Sequence, residues 1–223
     1  MKTKGEYIDD IELRINPEIS DDYGTLEREH IGHLLEVSRD ALVTRKLNAE
    51  VAAFIDPDNF YLEDADGLSL TFDGKANSDV RTYFCAKATL PQQPLSLIKD
   101  RGIVRVATGS GEIIDLVSKR EADSLIRLPA MGRVGPNSLI ATRSGSVLSI
   151  YGITKAASED TKIDVSYVRS YDDPIGTLGE SDDFVVDGDV AKDMLDDVEN
   201  TCRRQIEGKP RTDDNNNDGT EEQ

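Results

Sequence analysis

Lys162–Glu199 reads KIDVSYVRSYDDPIGTLGESDDFVVDGDVAKDMLDDVE and decides how the chain is organised. Its first ten residues alternate as a strand with one buried face does. Asp172-Asp173-Pro174 then interrupts the pattern, because a proline cannot join a strand ladder. An acidic stretch follows, and after it a helix. Asp189 is a candidate N-cap, and Val190, Met194, Val198, Cys202 and Ile206 recur every fourth residue with Leu195 beside them. Gly208 and Pro210 stop the helix. Enzymes often place reactive groups at a strand-to-helix junction. This junction offers carboxylates, with no histidine, cysteine or glycine-rich phosphate loop beside them.

Upstream, the hydrophobic period is that of strands. LSLTF (68–72), TYFCAKA (82–88), IVRVAT (103–108), EIIDLVS (112–118), LIATR (139–143) and VLSIYGI (147–153) all alternate. Two pairs lie close enough to form hairpins, joined by Gly-Ser-Gly at 109–111 and Ser-Gly-Ser at 144–146. Tight hairpins join antiparallel strands, so the spacing predicts an antiparallel β domain. KREADSLIR (119–127) is expected to be a short helix or irregular.

Helices open the chain. Ile8, Ile11 and Ile15 mark a short amphipathic helix from about Lys4, ended by Pro17. Leu26, Ile31, Leu34, Leu35, Leu42 and Val43 mark a longer one over 25–48. Ser38 and Ala41 lie on its apolar side, Thr25 is its candidate N-cap, and Arg45 and Lys46 sit near its end. The expected fold is α+β, with a small helical bundle from the terminal helices (1–50 and 189–207) and an antiparallel β domain inserted at 51–188. The acidic end, 208–223, contains no hydrophobe and is expected to be disordered in isolation.

The formal charge is −18, spread unevenly. Residues 157–223 hold 20 acidic and 7 basic side chains, a net of −13, which leaves −5 for the first 156. A segment of that sign repels a phosphate backbone, so tight nucleic-acid binding through it is not expected. No apolar run approaches the roughly 20 residues that span a bilayer. Glu6, Asp9 and Asp10 arrive before any apolar stretch, which argues against a secretory signal. The expectation is a protein made in the cytoplasm.

Candidate chemistry is sparse. His30 and His33, the two histidines, are set i and i+3 and could share a metal with Glu27 or Glu29. The pattern is not H-E-x-x-H and no third ligand cluster is visible, so polar residues on a surface explain them better. An EF-hand loop fails in both acidic stretches. Placing Gly67 at position 6 puts Leu62 at position 1, and placing Gly219 there puts position 12 beyond Gln223. The Gly-Ser-Gly at 109–111 is followed by a strand instead of Gly-Lys-Ser/Thr and a helix, so it reads as a turn. Asp21/Asp22, Asp172/Asp173, Asp182/Asp183 and Asp196/Asp197 are too many pairs for any one to signal catalysis. Cys85 and Cys202, 117 positions apart on apolar stripes, read as buried free thiols. No enzyme, cofactor or metal is expected.

The order of these features resembles the head-to-tail adaptor proteins of tailed bacteriophages, the neck-ring or head-completion proteins seated below the portal. The resemblance runs over about residues 6–207. It lies in the opening YIDDIELRINPEISDDYGTLEREHIGHLLEVSRDALVTRKL, in the two hairpins leading to IDVSYVRSYDDP, and in the closing helix DDFVVDGDVAKDMLDDVENTCRRQI. The linker 49–67 departs from it.

The resemblance implies a virion component with no catalytic residues, arranged as a closed ring of about a dozen copies. Its implied partners are further copies, the portal and downstream neck or tail proteins, with DNA passing through unbound and no membrane. Contact residues are expected at Asp172, Asp173, Pro174, Arg203, Arg204, Lys209 and Arg211. Glu180, Asp182 and Asp183 are expected at a rim or channel. The competing expectation is a small acidic protein-binding or regulatory module outside the particle. A metal enzyme using His30 and His33 stands behind both.

Overall fold

A computed structural model describes residues 2–15, 26–52, 59–78, 81–97, 102–127, 138–172 and 178–207. Its elements are α1 (Lys4–Ile15), α2 (Arg28–Ala52), β1 (Leu62–Ser69), β2 (Thr71–Ser78), β3 (Arg81–Thr89), β4 (Ile103–Thr108), β5 (Asp115–Leu116), α3 (Lys119–Arg127), β6 (Ile140–Ser144), β7 (Val147–Tyr151), α4 (Lys155–Asp160), β8 (Lys162–Val168) and α5 (Gly188–Glu207). The fold is α+β, with α1, α2 and α5 packed on one another and the sheets formed between α2 and α5.

α1 begins in a capping box. Thr3 N–H donates to Glu6 Oε2 at 2.7 Å, and Glu6 N–H donates to Thr3 Oγ1 at 3.3 Å. Its next two free N–H groups, of Lys4 and Gly5, donate to the carbonyls of Asp182 and Glu180. The acidic stretch is therefore strapped across the start of the first helix, where carbonyl oxygens meet the positive end of the dipole. Ile8, Ile11 and Ile15 of α1, Ile31, Leu35, Val43 and Leu47 of α2, and the five-residue stripe of α5 form one core. Burying each such side chain stabilises the fold by about 1.5–3 kcal/mol.

The strands form two sheets, β1-β8-β4 and β2-β3-β7-β6-β5. Their inner faces share a core of Ala86, Ala88, Val106, Ala141, Leu148, Ile150, Ile163, Val165 and others. β8 joins the two cores. Ile163, Val165 and Tyr167 alternate into the sheet core, and Val168 breaks the alternation by entering the bundle core. Tyr61, Leu95, Leu97 and Tyr171 follow it there.

Several expectations are corrected. The β region is not wholly antiparallel, because β5 pairs with β6 in parallel. The Gly-Ser-Gly turn does reverse the chain, with Ile114 N–H donating to Val106 O. The expected strand over 112–118 then leaves β4, keeps only Asp115–Leu116, and adds to the other sheet. α3 is the crossover that a parallel return requires. It starts at Ser118, whose hydroxyl accepts Glu121 N–H at 3.2 Å. The second hairpin is as expected, with Gly145 at φ +62° in the turn.

α5 is capped by Asp187 instead of Asp189, since Val190 N–H donates to Asp187 Oδ1 at 2.9 Å. α2 runs four residues beyond Asn48, so Arg45 and Lys46 do not lie in its last turn. Ala41 faces outward, not into the apolar side. α4, capped by Thr154, falls where no element was expected. Thr25 as a cap, and the end 208–223, lie outside the described residues. Cys85 and Cys202 are buried free thiols. No helix among the described residues is long and apolar enough to cross a membrane.

Candidate functional site

The polar groups of this chain converge where the bundle meets the sheets, and the middle of α2 supplies the centre. Arg39, with 1% of its side chain exposed, donates through Nη1 to Asp40 Oδ1 (2.8 Å) and to Arg169 O (2.9 Å), and through Nε to Val185 O (3.3 Å). Its guanidinium lies 4.0 Å from the Tyr171 ring centre, and that of Arg169 lies 5.2 Å from the same ring. Asp40 Oδ2 accepts from Ser170 Oγ (2.6 Å), Tyr171 N–H (2.9 Å) and Asp172 N–H (3.1 Å). Two adjacent residues of one helix thus grip the chain as it leaves β8, and Arg39 also holds it where it approaches α5. A buried guanidinium persists only when its donors meet acceptors, and here backbone carbonyls and Asp40 supply them.

A second cluster closes the same junction. Asp187 caps α5, accepts from Tyr61 Oη–H at 2.6 Å, and pairs with Lys46. Burial alone would raise its pKa, but Lys46, Tyr61 and the Val190 N–H outweigh burial and lower it from 3.8 to about 2. Tyr61 is pushed up, first by burial and then by its hydrogen bond to Asp187 and the charge there. The sign follows from linkage. A folded pKa below the unfolded one contributes stability that is complete above about pH 4 and lost as the pH falls through about 2. Asp187→Asn still caps the helix. It is therefore expected to cost on the order of 1 kcal/mol at pH 7, discounted for partial exposure, and almost nothing at pH 2. Urea melts at the two pH values check this, and an equal cost at both would remove the charge contribution.

Beside these clusters lies an open cleft of about 470 Å³. It is lined by Glu63, Gln92, Arg169, Tyr171, Leu178, Asp182, Asp183 and Val185. Tyr171 Oη accepts Val185 N–H at 3.0 Å, and its ring meets Phe184 edge-on at 5.0 Å.

The described residues singled out from the sequence fall in four places. Asp172 is exposed at the junction, its carboxylate 4.0 Å from His33 Nδ1. Glu180 pairs with Arg28, which also donates to Asp9 and Glu12, whereas Asp182 and Asp183 line the cleft. Arg203 is held by Glu199 and by Arg14 O at the far end of α5, and Arg204 there is exposed. Asp173, Pro174, Lys209 and Arg211 lie outside the described residues. His30 and His33 take different partners, Gln205 and Asp172. Among the described residues no group of three or more His, Cys, Asp or Glu is arranged to hold a metal ion.

Sequence reasoning missed Arg39, Asp40, Lys46, Tyr61, Gln92, Arg169 and Asp187. One signal was available for Arg39. Leu35, Arg39, Val43 and Leu47 occupy one helical stripe, so a charge sits where the period demands a hydrophobe.

No family model matches the chain, and no curated protein matches it.

Proposed function

We propose that the chain is a structural subunit of a neck ring in a tailed virus particle, placed between portal and tail, with DNA passing through the ring unbound. One observation supports this reading above others. Two N-terminal helices and one C-terminal helix build a single bundle, with the β region inserted between them and locked to it by Arg39 and Asp40. That is the element order the resemblance to adaptor proteins implies. It packs α1, α2 and α5 into one unit, suited to repetition around an axis. The net charge of −18 adds a physical reason for DNA to pass without adhering.

The test is quantitative mass spectrometry of purified particles from the source of this sequence, with this chain counted against the major capsid protein. A low and fixed copy number, on the scale of one ring per particle, is the expected result. Absence from intact particles would overturn the reading in favour of an acidic binding module acting outside the particle.

A further inference from the structure

Residues 179–183, the strap over the start of α1, read Gly-Glu-Ser-Asp-Asp, with no apolar side chain, and all five are exposed. The segment closes on itself. Asp182 N–H donates to Gly179 O at 3.1 Å, and Gly179 N–H donates to Asp182 Oδ2 at 2.8 Å. A buried residue fixes the chain on either side, Leu178 before it and Phe184 after it. Between those anchors its ties to the helix are polar. Lys4 N–H donates to Asp182 O at 3.1 Å, Gly5 N–H donates to Glu180 O at 2.8 Å, and Thr3 bridges to Asp183. A stretch held by exposed hydrogen bonds, without an apolar anchor of its own, belongs to the low-stability end of a fold.

Charge works against its closure. The strap carries Glu180, Asp182 and Asp183, and α1 carries Glu6, Asp9, Asp10 and Glu12 against Lys4 and Arg14. Lys4 is committed to Glu36, and Arg14 to Asp196 and Glu199. Arg28, at the start of α2, joins the two acidic elements. Its Nη1 lies 2.5 Å from Glu12 Oε2, and its Nη2 lies 3.0 Å from Asp9 Oδ1 and 3.2 Å from Glu180 Oε2. These side chains are all partly exposed, so each contact is weak by itself and screened by salt.

We propose that Arg28 is a salt-sensitive latch on this strap. While it bridges Glu180 to Asp9 and Glu12 the strap stays closed, and without it the carboxylates push the strap off α1. Asp182 and Asp183 also line the cleft at the junction, so opening moves one wall of that cleft. The latch is a property of the single chain and holds with or without a neck ring.

α1 supplies the reporters. The first N–H groups of a helix have no partner within it, so the strap carbonyls are what protects the Lys4 and Gly5 amides. Tyr7 N–H donates to Thr3 O instead and serves as the control. The experiment is amide hydrogen exchange, followed by NMR, on the full chain and on Arg28→Gln, at about 0.01 M and about 1 M salt. At low salt the variant should exchange Lys4 and Gly5 at least about threefold faster, with Tyr7 unchanged. At high salt both the bridge and the repulsion are screened, and the two proteins should converge.

Equal exchange of Lys4 and Gly5 in the two proteins at low salt overturns the latch. So does a matching rise at Tyr7, which marks fraying of α1 as a whole. A difference that persists undiminished at high salt overturns it as well, because the loss is then one of side-chain packing and not of charge.

Discussion

Arg39→Met is expected to destabilise the protein by about 3–5 kcal/mol, the largest effect of any single substitution considered. Arg39 is almost wholly buried, and among the described residues its carboxylate partner is Asp40. Its removal leaves Asp40 charged and enclosed, and takes donors from the carbonyls of Arg169 and Val185. The contact with the Tyr171 ring, worth about 2 kcal/mol when desolvated, goes with it. Asp40→Asn should also be costly, because it strands the guanidinium and weakens the acceptor for three donors. The double variant should cost less than the sum of the two, since each single change leaves a partner unpaired. Urea unfolding measures all three. Hydrogen exchange at Tyr171 and Asp172 amides reports the local effect, because both donate to Asp40. A loss below about 1 kcal/mol for Arg39→Met would mean that the clamp does not hold the two parts together.

The second large effect is expected at the start of the chain. Lys4 and Glu36 form an ion pair at 2.8 Å with side chains 11% and 7% exposed, and Lys4 Nζ also donates to Leu178 O at 3.1 Å. This pair ties α1, α2 and the acidic strap into one unit. Lys4→Met keeps most of the side-chain volume but leaves Glu36 buried and unpaired, at a cost of about 3 kcal/mol. Lys4→Met with Glu36→Met should recover most of that loss, because two well-packed apolar residues avoid the desolvation that the charges suffer. If the double variant is no better than the single, the loss comes from packing and not from an orphaned charge. Gly32, in the second turn of α2, lies against this lysine: a Cβ there would stand 2.9 Å from Lys4 Cε, so a side chain at 32 would require the end of Lys4 to shift.

The parts legible in the sequence were those governed by near neighbours. α1 spans Lys4–Ile15, where its helical period placed it, while α3 spans Lys119–Arg127, a stretch the sequence left open between a short helix and irregular structure. β4 and the hairpin of β6 and β7 also fall at their expected places, because alternation and a glycine turn specify them locally. β5 shows where such reasoning stops. EIIDLVS alternates well enough for a long strand, yet the partner at its edge is set by the sheet it reaches after the turn, so only two residues pair. Asp187 was passed over in favour of Asp189, since both are acceptable caps and only the approach of Tyr61 and Lys46 separates them.

By itself, then, the sequence determined the α+β class, the places of α1, β4 and the β6–β7 hairpin, the burial of the α5 stripe, and a net charge of −18. Those properties follow from periodicity, capping and summed charge, which act over a few residues or need no geometry at all. Tertiary structure decided that Arg39 and Asp40 turn inward, that the acidic strap lies over the start of α1, and that Gln92 and Arg169 face one cleft with Asp182 and Asp183. Their partners stand more than a hundred positions away in several cases, and a buried charge is tolerable only once those partners have arrived. A polar residue on an apolar stripe can be read as an exception from sequence, but what satisfies it is settled by packing.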